Sequence, residues 1–157
     1  MSVLIIERLE IMENGRGELR IQNGCLVDGH GTAAIDAGCL IAQDGLISFA
    51  GALKDAPQSG PGAVVVDAKG GTIMPGLVES HFHPTYFNVA ALEDLDIKYP
   101  VEYVTLLAAC NAKLALECGY TAARSGGSLF NIDVWLKKAI ESDLMLGPRM
   151  AASAVSY

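Results

Sequence analysis

Positive charge is scarce and never concentrated in this chain. Eleven Lys and Arg stand against eighteen Asp and Glu, for a net charge of −7. A phosphate backbone is gripped by clustered Lys and Arg, so nucleic-acid binding is disfavoured. A long hydrophobic run is also lacking. The opening Met1–Glu10 has a short apolar stretch with no basic lead-in, which fits neither a secretory leader nor a membrane span. The four cysteines (Cys25, Cys39, Cys110, Cys118) show no Cys-x-x-Cys spacing. They read as small buried or half-buried thiols, not as zinc ligands or nucleophiles, and a reducing, cytoplasmic location is the expectation. Histidine is rare, three residues in 157, and two of the three stand two positions apart.

What is present is the composition of a globular protein, 51% hydrophobic and 18% charged. The length fits one domain, or one small domain plus part of another. The first half reads as β-structure. Leu19–Gln22 leads to Asn23-Gly24, a turn signal, and Cys25–Val27 resumes the strand. Cys39–Ala42 and Leu46–Ala50 flank a second hairpin-like turn, Gln43-Asp44-Gly45. Ala63–Asp67 is a short β-branched strand, and Lys54–Gly62 is a Pro/Gly/Ser-rich linker. Short strands with Gly turns predict a small sheet or sandwich-type β domain over residues 1–71.

The second half changes character. In Pro75-Gly76-Leu77-Val78-Glu79-Ser80-His81-Phe82-His83-Pro84, strict alternation on a strand would project Glu79, His81 and His83 one way. Two imidazoles on a rigid strand can grip one metal ion without ordering a loop. A lone His-x-His pair is also compatible with two polar residues facing water. The spacing then predicts a helix over 101–118, with Pro100 at its start and Gly119 past its end. Its apolar stripe is Val101, Val104, Leu107, Leu114, Ala115 and Cys118. Tyr120–Arg124 is a strand running into Ser125-Gly126-Gly127. A second helix spans 132–142, capped by Asn131 or Ser128, with Trp135 and its apolar neighbours as core. Gly147-Pro148 closes that unit, and Arg149 opens a third strand reaching Val155. The order strand–helix–strand–helix–strand implies parallel strands with right-handed crossovers, an α/β arrangement.

These residues resemble the N-terminal portion of a metal-dependent hydrolase of the amidohydrolase superfamily. The resemblance runs from Leu19 onward. Ile21–Gly29 resembles the family's opening strand-turn-strand, and Gln43–Ile47 its second hairpin. Val66-Asp67-Ala68-Lys69-Gly70-Gly71-Thr72-Ile73-Met74-Pro75-Gly76-Leu77-Val78-Glu79-Ser80-His81-Phe82-His83 resembles its approach to barrel strand one. Glu79 departs from the Asp that many members carry. Gly119–Gly127 and Gly147–Ser153 are similar to strands two and three of the imidazolonepropionase-like and Xaa-Pro-dipeptidase-like branch. The resemblance implies a small β domain over 1–71, then strands 1–3 of a (β/α)8 TIM barrel over 72–157, incomplete in this chain.

It also implies chemistry. One or two divalent ions, zinc before others, would activate water as a metal-bound hydroxide that attacks an amide, peptide-like or cyclic amide carbonyl. His81 and His83 would be metal ligands. The family adds a lysine from strand four, histidines from strands five and six, and an aspartate from strand eight, none of which this chain contains. Lys113, Lys137 and Lys138 fall on helices and do not replace the lysine. With two ligands, this chain alone is expected to be inactive.

Lesser candidates carry two readings each. Tyr86 either meets substrate at the barrel mouth or packs as a surface aromatic on its own loop. Arg124, at the end of strand two, either binds a substrate carboxylate or pairs with Glu79 or Asp94. His30 reads as an exposed turn residue, and Glu93-Asp94-Leu95-Asp96 as a solvated acidic run. A complete barrel takes roughly 250 residues. The expectation is therefore that the remaining barrel comes from the same precursor or a second chain, with a small amide-type substrate and homo-oligomerisation when complete. The alternative is a non-catalytic fragment serving as an interaction or regulatory module.

Overall fold

The computed structural model describes residues 17–91 and 98–153. Two compact units divide between Pro75 and Gly76. The first contains β1 (Glu18–Leu26), β2 (Ile35–Gln43), β3 (Leu46–Ala52), β4 (Val64–Asp67) and β5 (Thr72–Ile73). They form one mixed sheet in the order β3-β2-β1-β4, with β5 also paired to β1. β2 runs antiparallel to β1 and β3, whereas β4 and β5 run parallel to β1. The pairing of Thr72 with Cys25 and Ile73 with Leu26 places the unit's end beyond residue 71.

Turn chemistry explains most of this sheet, with one correction. Asp44-Gly45 joins β2 to β3 with both φ angles positive, at 51° and 82°, as a two-residue hairpin of this twist requires. The Asp44 carboxylate accepts the Gly17 amide at 2.8 Å, which holds its pKa below the ordinary value. Asn23-Gly24 is not a turn: both residues lie inside the continuous β1. Asn23 takes φ 61°, and the register with β2 slips on both sides of Gly24, which makes a β-bulge. A Cβ on Gly24 would stand 2.7 Å from the Gly71 carbonyl oxygen, and the Asn23 carbonyl accepts the Gly70 amide. Positive φ and a missing side chain here serve close approach of another segment, not chain reversal.

The stretch 54–62 is held to this unit. The Arg20 guanidinium, 8% exposed, donates to the Pro57 carbonyl at 2.8 Å, the Ser59 hydroxyl at 3.0 Å and Gln22 Oε1 at 2.9 Å. Glu18 accepts the Gly60 amide at 3.0 Å. The cysteines divide. Cys39 is fully buried, which pushes its thiol pKa up, and Cys25 is half-buried. Cys110, off the packed face of a helix, and Cys118, just past that helix's end, are exposed, contrary to expectation.

The second unit runs β6 (Leu77–Phe82), α1 (Val101–Glu117), β7 (Tyr120–Ser125), α2 (Ile132–Glu141) and β8 (Arg149–Ala151). The three strands are parallel in the order β6-β7-β8. Pro100 precedes α1, and Gly119, at φ 92°, follows its last turn, as proline and glycine preferences dictate. The 154–155 end of the expected third strand lies outside the described residues.

The packed face of α1 differs from the predicted stripe. Its buried residues are Val104, Ala108, Asn111 and Ala112, whereas Leu114 is 48% exposed. Small side chains let the helix approach α2 and the sheet closely, and the larger ones are turned aside. The core joins Val104, Ala108 and Ala112 to Ile132, Leu136 and Met150, with Phe82 and Ile140 against it. Burying side chains as large as Ile132, Leu136 and Met150 contributes about 1.5–3 kcal/mol each. Trp135 is not core: it is 61% exposed, with the Lys138 ammonium 5.3 Å from its ring centre. At 100° per residue it falls beside the stripe set by Ile132, Leu136 and Ile140.

Asn131 stands at the N-cap position of α2 but makes no capping bond. Ser128 does that work, accepting the Asp133 amide at 2.9 Å and donating to its carboxylate at 2.8 Å. No described helix is long and apolar enough to cross a membrane.

Candidate metal centre

The site grows from the C-terminal ends of β6 and β7, the edge where barrel enzymes build their chemistry. His81 and His83 leave β6 with Phe82 between them, and Phe82 turns to the helical core. The two Nε2 atoms lie 3.0 Å apart, with the rings edge to face. His83 Nδ1 lies 3.1 Å from the Gly127 carbonyl. A carbonyl oxygen only accepts, so Nδ1 is the donor and Nε2 is the nitrogen left able to ligate.

This arrangement fits a divalent ion. Two nitrogens bound at 2.0–2.1 Å to one tetrahedral ion lie about 3.3 Å apart, close to the observed separation. A ligating imidazole commonly donates its other N–H to a carbonyl or carboxylate, as His83 does here. Among the described residues, no group of three or more His, Cys, Asp or Glu surrounds the pair.

Glu79 does not join the histidines, contrary to strict alternation. The β6–β7 register slips between Glu79 and Phe82, so one extra residue shifts the facing. Glu79 then lines the same cavity as Phe82, about 280 Å³ in volume, together with Asn111 and Leu114 of α1 and Cys118 just past its end. Its carboxylate folds back to accept the His81 amide at 3.1 Å.

Tyr86 is brought to the site. Its amide donates to the His83 carbonyl at 3.1 Å across a turn with Pro84 second, a favoured place for proline. The phenol ring stacks on His83, centroids 4.4 Å apart and planes 12° from parallel. Arg124 is exposed at the end of β7, between buried Ala123 and Ser125, and so lies on the opposite sheet face from them. It forms no ion pair with Glu79, and Asp94, with the rest of the acidic run 93–96, lies outside the described residues. His30 is exposed, and its amide bonds to the Asp28 carboxylate in a loop of the first unit. That bond and one from Thr32 hold the Asp28 carboxyl below its ordinary pKa.

Three residues of the site, and one buried residue of the unit's core, escaped the sequence reading. Gly126 donates its amide to the Phe82 carbonyl at 2.8 Å, and Gly127 supplies the acceptor for His83. Asn111 reaches from α1 to the Pro84 carbonyl at 2.7 Å, pinning the loop below the rings. Asp133, fully buried, takes the Ser128 hydroxyl and, at 3.0 Å, the Ser153 amide. For Asn111 a signal was available: a polar residue in an apolar helix stretch needs a partner once buried. The glycine pair looked like ordinary loop punctuation.

Sequence and fold comparisons agree on the class. A protein named imidazolonepropionase from Mesorhizobium japonicum is 38% identical over 138 residues, covering 84% of this chain and 30% of the relative. One of the same name from a Bradyrhizobium species is 30% identical over 124 residues, 78% of this chain and 27% of the relative. Among solved structures, a Xaa-Pro dipeptidase with methionine in its active site superposes with a TM-score of 0.74 at 25% identity, covering 87% of this chain and 33% of that one. An amidohydrolase superposes at 0.66 with 29% identity, over 85% of this chain and 30% of that one. No family model matches.

The fold is thus a mixed-sheet β unit followed by the first parallel strands and helices of a (β/α)8 barrel. The chain matches the N-terminal portion of amidohydrolase-superfamily proteins, and it spans 30% and 27% of the length of the two curated relatives above.

Proposed function

We propose that this chain supplies the N-terminal part of a metal-dependent hydrolase acting on an amide, peptide-like or cyclic amide C–N bond. The observation that carries the reading is the convergence of two Nε2 atoms at 3.0 Å, with His83 Nδ1 engaged by Gly127. His81 and His83 are the metal ligands, and zinc is the preferred ion among divalent candidates, as one ion or two. A bound divalent ion supplies Lewis acidity, polarising the scissile carbonyl and making water a nucleophile near neutral pH.

This chain's own residues do the rest. The imidazole pair, rigid on β6, fixes where the reacting carbonyl sits. Tyr86, stacked on His83, forms one wall and excludes water from that side of the ring. Arg124 offers a bidentate partner for a substrate carboxylate. Cyclic amides with a carboxylate arm are the substrates that the relatives' shared name points to. In domain terms, the mixed-sheet unit that ends at Pro75 is the small β domain, and the unit that begins at Gly76 carries barrel strands 1–3. The remaining strands come from further sequence or a second chain, in a cytoplasmic homo-oligomer, and the 157-residue chain by itself is inactive.

The deciding experiment is metal analysis of the purified protein after equilibration with Zn²⁺ and desalting, beside the His81→Ala/His83→Ala double variant. Bound zinc in the native protein and its loss in the variant is the expected result. Equal zinc in both overturns the ligand assignment.

A further inference from the structure

The turn that follows β7 presses on the imidazole pair in a way that a loop serving only as a connector has no reason to do. A Cβ built on Gly126 would lie 2.6 Å from His83 Nε2, 2.7 Å from His83 Cε1 and 3.1 Å from His81 Cε1. All three atoms belong to the two rings, and the nearest is the nitrogen that would hold a metal. Gly126 is itself fixed by the hydrogen bond its amide N–H donates to the carbonyl of Phe82, the residue between the histidines. Gly127 follows at φ 101°, a conformation that side chains other than glycine's resist, and its amide donates to Ser125 Oγ at 3.0 Å. Its carbonyl is thereby aimed at His83 Nδ1.

We propose that Gly126 and Gly127 are positioning residues for the imidazole pair: Gly127 fixes the His83 tautomer, and Gly126 keeps the space in front of Nε2 clear. The proposal rests on the reading of His81 and His83 as metal ligands and adds the device that orients them. The Gly127 carbonyl accepts from His83 Nδ1, which leaves Nε2 as the nitrogen turned toward His81. Any side chain at position 126 has to push one or both rings aside, because the close atoms are ring atoms and not the end of a flexible chain.

The test has two readouts. Ring-nitrogen NMR of the native protein should show the His83 proton on Nδ1, where the Gly127 carbonyl accepts it. His83 protonated on Nε2 overturns the role of Gly127. Zn²⁺ titration should then show Gly126→Ala binding ~10–100-fold more weakly than native, the range for loss of a group that orients a ligand. Native-like affinity in a folded Gly126→Ala protein overturns the role of Gly126. If that variant does not fold, Gly126→Ala in the His83→Ala background, where the nearest ring is gone, should fold; failure to fold there overturns the role of Gly126. The His81→Ala/His83→Ala double variant separates this inference from the one beneath it. If it binds Zn²⁺ as the native protein does, the ligand reading fails, and the tautomer spectra still report on the glycine turn.

Discussion

Two arginines show how differently the two units use their charge. Arg20, in the first sheet, is 8% exposed and commits its guanidinium to Gln22, Pro57 and Ser59. Arg124, at the end of β7, is exposed and forms no ion pair among the described residues. The first side chain pays its desolvation through hydrogen bonds that close a loop onto the sheet, so its role is internal. The second keeps its donors available. The imidazoles follow the same pattern, since His81 is exposed and its closest polar partner is the other ring. In the first unit polar groups are consumed by structure; at the ends of β6 and β7 they are left presented, while the burden of holding shape passes to Asn111, Ser128 and Asp133 beneath.

That division makes testable statements. The largest effect is expected from Asp133→Ala, which orphans the Ser128 hydroxyl and the Ser153 amide. At about 1–3 kcal/mol for the buried Ser128 hydroxyl and about 1 kcal/mol for the half-buried Ser153 amide, the loss should be about 2–4 kcal/mol. Segment-resolved hydrogen exchange should show it in α2 and β8, with β1–β3 unchanged. Gly38→Ala should break the other unit. Its Cβ would meet the Leu26 Cβ at 2.4 Å, and overpacking of this kind costs about 1–3 kcal/mol, read as faster exchange in β1 and β2. Arg20→Met keeps the aliphatic stem but removes the three donated bonds. A loss of about 1–2 kcal/mol, with new protease sensitivity at 54–62, is the expected outcome. Unchanged protease resistance there would show that the loop does not depend on Arg20, and the contrast between the arginines would lose its first half.

Much of the frame was legible beforehand because local chemistry decided it. Pro100 and Gly119 bracket α1 through φ preferences alone, and Asp44-Gly45 reverses the chain for the same reason. The His-x-His pair was visible because a two-residue spacing on a strand brings side chains to one face. The misreadings arose where a neighbour distant in sequence decided the outcome. Asn23-Gly24 satisfies a turn and a bulge equally well, and only the approach of Gly71 selects the bulge. Glu79 obeys alternation until the register slip against β7 turns it toward α1. Trp135 looks like core by hydropathy, yet the helix phase set by Ile132 and Leu136 leaves it outside. Gly126 was visible as a residue but not as a neighbour of His83, since 43 positions separate the two and only the parallel pairing of β6 with β7 joins them.

The smallest effect concerns the solvent face of α2, where the comparison predicts that charge does almost nothing. Lys137 pairs with Glu141 one turn on, and Lys113 with Glu117 at 3.8 Å on α1. In both pairs the lysine precedes the glutamate, the weaker order, because it sets a negative charge against the helix's C-terminal end. The four side chains are between 34% and 65% exposed, so water and salt screen them. Lys137→Ala should therefore cost under about 0.5 kcal/mol, and the higher helix propensity of alanine offsets part of even that. Thermal unfolding at low and high salt should give nearly the same small difference. A loss above about 1 kcal/mol that vanishes in salt would mean that this face bears structural charge after all, and the assignment of polar structure to the buried Ser128–Asp133 cluster would have to be shared with the surface.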